Sequence, residues 1–169
     1  MNFIKYFFLV LFVNSAFSQV EKDTSFTISS EYTKQLKKFP FIKVVEPLKV
    51  SSLIEEKNII YYTIENRDMH LDSYLSKATS KLPALLLLHG GGWKSGDKAM
   101  SETLAQKIAL KGYQCFTIEY RLSDEAIYPA AINDVLKAIE FIQINATQFN
   151  VDATKIGLLG CSSGGQMPA

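Results

Sequence analysis

Two short apolar runs, each ending in a glycine-rich loop, constrain this chain most. Ala84-Leu85-Leu86-Leu87-Leu88 runs into His89-Gly90-Gly91-Gly92-Trp93, and Ile156-Gly157-Leu158-Leu159 runs into Gly160-Cys161-Ser162-Ser163-Gly164-Gly165. An unbroken apolar run of that length reads as a strand buried on both faces of a sheet. Between them, Leu104, Ala105, Ile108, Ala109 and Leu110 keep helical spacing, and Gly112 supplies a stop. Tyr113 to Tyr120 reads as a further strand. Pro129 then opens a long helix, in which Ile132, Val135, Leu136, Ile139 and Ile142 recur at three and four. Asn150-Val151-Asp152 reads as a turn before the last strand. Upstream, Ile59–Ile64 and the alternating Met69–Leu75 read as a hairpin across Glu65-Asn66-Arg67-Asp68. Strand, helix, strand, helix, strand after a hairpin predicts an α/β fold: a mainly parallel sheet with helices on both faces.

The first residues read as an address label. Lys5 precedes an apolar run from Tyr6 to Val13, and Ala16-Phe17-Ser18 forms a small-x-small site. This predicts a secretory signal peptide over residues 1–18. Eight apolar residues fall well short of the ~20 that span a bilayer, so no stable membrane anchor is expected after cleavage. Removing these residues takes away one lysine and no acid, leaving a chain without net formal charge. Residues 19–54 are polar and mixed, with Lys34, Lys37 and Lys38 on a solvated face, and are read as a leader segment. The core domain is expected over residues 55–169.

Composition narrows the chemistry. The chain has 169 residues, with 18 Lys plus Arg against 17 Asp plus Glu. There is no basic excess to bind nucleic acid. Two cysteines and two histidines leave no Cys-rich metal site, and neither a metal nor a cofactor is expected. Gly160-Cys161-Ser162-Ser163-Gly164 fits G-x-S-x-G directly after a strand. A serine at such a corner is held in strained backbone, with its hydroxyl projecting and the amide of Ser163 aimed at an oxyanion formed there. The phosphate-loop alternative lacks both a Walker lysine and G-x-G-x-x-G. A triple-glycine loop alone would suit a flexible surface turn. Two such loops, each after a buried strand, fit a set of backbone amides converging on one oxygen, where losing one donor costs ~100–1000-fold in rate.

On these residues the chain resembles the α/β-hydrolase fold, in its hormone-sensitive-lipase and carboxylesterase-like branch with an HGGGW loop. The blocks that carry the resemblance are Leu71-Asp72-Ser73-Tyr74-Leu75, His89–Trp93, Gly96-Asp97, Tyr120-Arg121-Leu122, Tyr128-Pro129-Ala130-Ala131 with Asp134, and Gly160–Gly165. The resemblance covers residues 55–167. It implies Ser162 as nucleophile, amides of Gly91, Gly92 and Ser163 as the oxyanion hole, and Trp93 as a wall of the acyl pocket or a core-packing residue. It implies a structural Asp134. It also implies that the Ala84 strand separates the Cys115 and Cys161 strands, which leaves two free thiols.

The family order is Ser, then Asp or Glu, then His. Residues 163–169 hold no acid and no histidine. His89 is expected to brace the oxyanion loop, and His70 to be a solvated or packed strand residue. Pro168 is expected to fall inside a helix, where it would cost ~3 kcal/mol. The expectation is therefore the N-terminal part of a secreted serine esterase, nearly inert by itself. Short-chain, acetyl or carbohydrate esters are the expected substrates. A non-catalytic binding module of the same fold is the alternative.

Overall fold

The computed structural model describes residues 23–168, so the signal-peptide expectation lies outside the described residues. Among the described residues, nine α-helices and strands follow one another, α1 (Ile28–Leu36), β1 (Leu53–Ile64), β2 (Arg67–Ser76), β3 (Leu82–Leu88), α2 (Glu102–Ala109), β4 (Gln114–Ile118), α3 (Ala130–Ile144), β5 (Val151–Gly160) and α4 (Ser163–Gln166), with a 3-10 turn at Lys98–Ser101 leading into α2. The five strands form one sheet in the order β1-β2-β4-β3-β5. β3 pairs in parallel with both β4 and β5, while β2 is antiparallel to β1 and to β4. The sheet is thus mixed: parallel where the glycine loops leave it, antiparallel where the hairpin joins.

Side-chain alternation on β3 explains why helices cover both faces. Ala84, Leu86 and Leu88 pack with Phe116, Ile118, Val135, Ala138 and Ile142, on the α3 face. Leu87 packs with Cys115, Tyr74, Ala105 and Ala109, on the α2 face. The helix faces differ from those the spacing suggests. Leu104, Leu110 and Leu136 are exposed, while Ala105, Ala109 and Ala138 are fully buried. Small side chains let each helix approach the sheet closely, and the larger residues beside them turn outward.

Several boundaries move for physical reasons. The hairpin turns over Glu65-Asn66 alone, because Arg67 already pairs with Ile64, and Glu65 takes the positive φ of 53° that so tight a turn demands. β1 begins at Leu53, inside the stretch read as leader, and Leu53 is buried in the α2-side core. The acidic and amide residues Glu55, Glu56 and Asn58 hide this strand in the sequence. Its register shifts between Glu56 and Ile59, and the Asn58 amide donates to Asp72 Oδ1 at 2.8 Å. Val151, read as part of a turn, is a fully buried strand residue paired with Leu82. The turn chemistry lies just beyond it, where Asp152 accepts from the amide and hydroxyl of Thr154 at 3.1 and 2.7 Å.

The leader holds a helix that periodicity did not reveal. α1 starts with a reciprocal cap between Thr27 and Ser30, and none of its residues is buried. The segment after it is tied down by Gln106, which accepts from the Leu48 amide at 2.7 Å and donates to the Leu48 carbonyl at 3.1 Å. No helix among the described residues is long and apolar enough to cross a membrane.

Candidate active site

Both glycine loops leave the sheet at the same end, because β3 and β5 are adjacent and parallel, with Leu88 opposite Gly160. Ser162 stands at the corner between β5 and α4 with φ 53° and ψ −123°. A serine rarely occupies that region, and holding it there costs about 1–3 kcal/mol, which the surroundings must supply. The motif glycines show how. A Cβ on Gly160 would strike the Gly164 carbonyl oxygen, and one on Gly164 would strike the Leu88 and His89 carbonyl oxygens. These obstacles are backbone, so they cannot rotate aside. Replacing Gly164 by alanine is expected to cost about 1–3 kcal/mol through overpacking. A urea unfolding midpoint equal to that of the native chain would contradict this.

The two loops face each other closely. A Cβ on Gly90 would lie 3.0 Å from the Cys161 carbonyl oxygen and 3.4 Å from Ser162 Cβ. The Gly92 amide donates to Ser163 Oγ at 3.1 Å. Gly91 takes φ 132°, and its carbonyl accepts from the amides of Lys94 and Ser95, each at 3.2 Å. Ser163 is the first residue of α4, so no preceding helical turn supplies an acceptor for its amide. The expected nucleophile, Ser162, and the three positions expected at the oxyanion hole, Gly91, Gly92 and Ser163, are therefore together at one corner.

His89 is buried and braces the loop. Its ring stacks on Tyr120 with centroids 4.3 Å apart, and Nδ1 lies 2.9 Å from the Gly90 carbonyl oxygen. The Tyr120 hydroxyl donates to the His89 carbonyl at 2.7 Å. Burial pushes that phenol up to about 12, so it stays a neutral donor across the physiological range. Tyr120 supports the site from just past β4, a role that neither the strand pattern nor the Tyr120-Arg121-Leu122 block assigned to it. His70 lies apart, on β2, with Nδ1 3.2 Å from Glu119 Oε2.

Asp134 is fully buried and bonds Arg121 through both its oxygens, at 2.8 Å from Nη2 and 3.0 Å from Nε, while also accepting the Arg121 amide at 2.9 Å. It fixes the segment after β4 to α3, as its structural reading requires. Trp93 is not a core residue. It is 38% exposed, with φ 58°. Its carbonyl accepts from the Ser123 amide at 2.7 Å. It lines a cavity of about 590 Å³ together with Tyr128, Ile132 and Met167. Gly92 also borders this cavity, which therefore opens beside the oxyanion loop.

Cys115 is buried and Cys161 exposed, both as free thiols, with β3 running between their strands. Burial pushes the Cys115 thiol up to about 12. An aromatic disulfide reagent is expected to modify Cys161 alone in the native chain and both thiols in denaturant. Equal native reactivity would contradict this. Pro168 is not inside a helix: α4 ends at Gln166. Proline has no N–H to offer the Gly164 carbonyl, so the helical ladder stops before it.

The BD-FAE family model matches residues 71–169. The chain belongs to the BD-FAE family. Its relatives are esterases. It is 33% identical over 92 residues to "Esterase LipC" of Mycobacterium tuberculosis, a match covering 54% of this chain and 23% of that protein. It is 34% identical over 90 residues to "Carboxylesterase NlhH" of the same organism, covering 52% of this chain and 28% of that one. A solved "Truncated form of carbohydrate esterase from gut microbiota" superposes with a TM-score of 0.62 at 29% identity, over 72% of this chain and 44% of that one. An acetyl ester-xyloside bifunctional hydrolase from Caldicellulosiruptor lactoaceticus gives 0.60 at 25% identity, over 65% and 44%. This BD-FAE chain thus has the α/β-hydrolase fold and spans about a quarter of the length of those two curated relatives.

Proposed function

We propose that the gene product carrying this chain is a secreted serine carboxylic-ester hydrolase with Ser162 as nucleophile. One observation carries the reading: a serine held at φ 53° on a strand-to-helix corner, with a second glycine loop bonded across it. Ser162 Oγ attacks the ester carbonyl. Negative charge gathers on the carbonyl oxygen, where amides of Gly91 and Ser163 receive it, while the Gly92 amide is engaged by Ser163 Oγ at 3.1 Å. The C–O bond to the alcohol breaks, the alcohol leaves with a proton, and an acyl-serine remains. Water then attacks that ester and returns the serine, releasing the acid.

The proton needs a base. The motif's order places an acid and then a histidine after the serine. Residues 163–169 contain neither, and His89 is committed to the loop brace. Residues 1–169 by themselves are therefore proposed to turn esters over slowly.

Trp93, Tyr128, Ile132 and Met167 make the adjoining cavity a mainly apolar acyl pocket. With the carbohydrate and acetyl esterases among the similar structures, this supports short acyl esters, including those on sugars. Secretion rests on the composition of residues 1–18.

A fluorophosphonate probe tests the reading. Mass spectrometry of the labelled full gene product should place the adduct on Ser162. An unlabelled Ser162 under conditions that label a control esterase would favour a binding module instead.

A further inference from the structure

Asp72 is a buried carboxylate that the chemistry above does not use. It is 2% exposed and stands on β2, with β4 between it and β3, the strand that carries the first glycine loop. Opposite it, β1 bulges. Glu56 pairs with Ser73 and Ile59 with Leu71, so Lys57 and Asn58 both stand opposite the single residue Asp72. Asn58 takes φ 58°, a conformation that asparagine adopts more readily than most residues. Its amide donates to Asp72 Oδ1 at 2.8 Å. Asp72 Oδ1 and Asn58 Oδ1 then converge on one point, and Lys98 fills it: the ammonium donates to them at 2.6 and 2.8 Å. Such a charge-assisted bond to a buried carboxylate holds more firmly than a surface ion pair.

Lys98 opens the 3-10 turn that follows the loop, two residues after Gly96. Gly96 lies against the loop's entry. A Cβ there would strike the Gly90 carbonyl oxygen and come within 2.6 Å of His89 Nδ1. Gly96 therefore closes over the contact between His89 Nδ1 and the Gly90 carbonyl, 2.9 Å apart, and keeps water from competing for that oxygen. The Gly90 carbonyl shares its peptide plane with the Gly91 N–H, a donor of the oxyanion hole. Bonds from the Lys94 and Ser95 amides to the Gly91 carbonyl fix the loop's shape but not its place. Trp93 ties the tip to the segment after β4, and Lys98 ties the exit to the hairpin.

We infer that Lys98 is a positioning residue: its ammonium, seated between Asp72 and Asn58, keeps Gly96 closed over the Gly90 carbonyl and so holds the direction of the Gly91 N–H. For catalysis, this rests on the esterase reading. For the anchoring, it does not.

Lys98→Met removes the ammonium and keeps the stem, while Asp72 retains the Asn58 amide and Lys57 Nζ at 3.8 Å. Hydrogen exchange by mass spectrometry on the full gene product should show the segment with the Lys94 and Ser95 amides exchanging ~10-fold faster, with β3 and β4 unchanged. Asn58→Gly keeps the positive φ and the amide and removes one of the two acceptors, so it should give a smaller acceleration. Lys57→Met deletes a cation of the same cluster, one that bonds Tyr74 and Glu102, and should leave the loop's exchange as it is. Unchanged loop exchange in Lys98→Met would overturn the inference. So would an acceleration shared equally by the sheet, or an equal effect from Lys57→Met. Lys98→Met should also lower kcat ~10-fold, less than the ~100-fold or more for deleting a donor, with KM within about threefold. An unchanged kcat, or a loss confined to KM, would overturn the positioning role. Ser162→Ala runs beside it: if that variant kept its ester rate, the esterase reading would fall while the exchange result would still decide the anchor.

Discussion

Ser162→Ala in the full gene product should lower kcat for p-nitrophenyl acetate by ~10⁴–10⁶-fold, the range for removing a member of a serine triad. KM should change little, because the hydroxyl contributes to the transition state and not to ground-state binding. The fold should survive. Ser162 carries its strain in the backbone, at φ 53°, and alanine takes that conformation no more readily than serine. The loss would therefore report chemistry and not collapse. A residual rate in Ser162→Ala close to that of the native gene product would end the nucleophile assignment.

The second large effect is on stability. Asp134→Ala should destabilise the chain by about 3 kcal/mol, the lower end of the range for breaking a buried ion pair by removing one partner. The lower end applies because the Arg121 side chain is 16% exposed and can regain some water, while that of Asp134 is fully buried. The mutation also orphans the Arg121 amide, which donates to Asp134 Oδ2. On a chain of this size, the thermal midpoint should fall by roughly 6–12 °C. Asp134→Asn keeps the shape and one acceptor, so it should fall between the two. A shift in Asp134→Ala of less than about 2 °C would mean that the pair contributes nothing measurable.

The parts of the site that sequence reveals are those where backbone geometry dictates residue type. Gly160 and Gly164 must be glycine because carbonyl oxygens occupy the space of a Cβ, and that requirement is written directly as G-x-S-x-G. The buried strands are visible for a similar reason: β3 is enclosed on both faces and can hold little but leucine and alanine. Helix faces are less legible. Ala105 and Ala109 carry α2 against the sheet while Leu104 stays exposed, and a hydrophobicity pattern weights the leucine over the alanine. The start of β1 is hidden because a strand with a bulge and a polar outer face breaks the period of two. The bonds made by the Tyr120 and Ser163 hydroxyls are silent in the sequence, since their partners lie some 30 to 70 positions away. α1 is announced by the Thr27 and Ser30 cap rather than by any apolar stripe, because it buries nothing.

The adjacency of β3 and β5 has a metrical consequence. Each loop inherits its coordinates from the ladder beneath it, where Leu88 lies opposite Gly160 and its carbonyl accepts the Cys161 amide at 3.4 Å. Sliding one strand past the other by a single residue would carry the corner about 3.3 Å along the strand axis. That is about the length of a whole hydrogen bond, so the sheet acts as a vernier: the pairing of the buried strand β3 with the edge strand β5, whose Leu159 stays exposed, sets the gap that an attacking oxygen must cross.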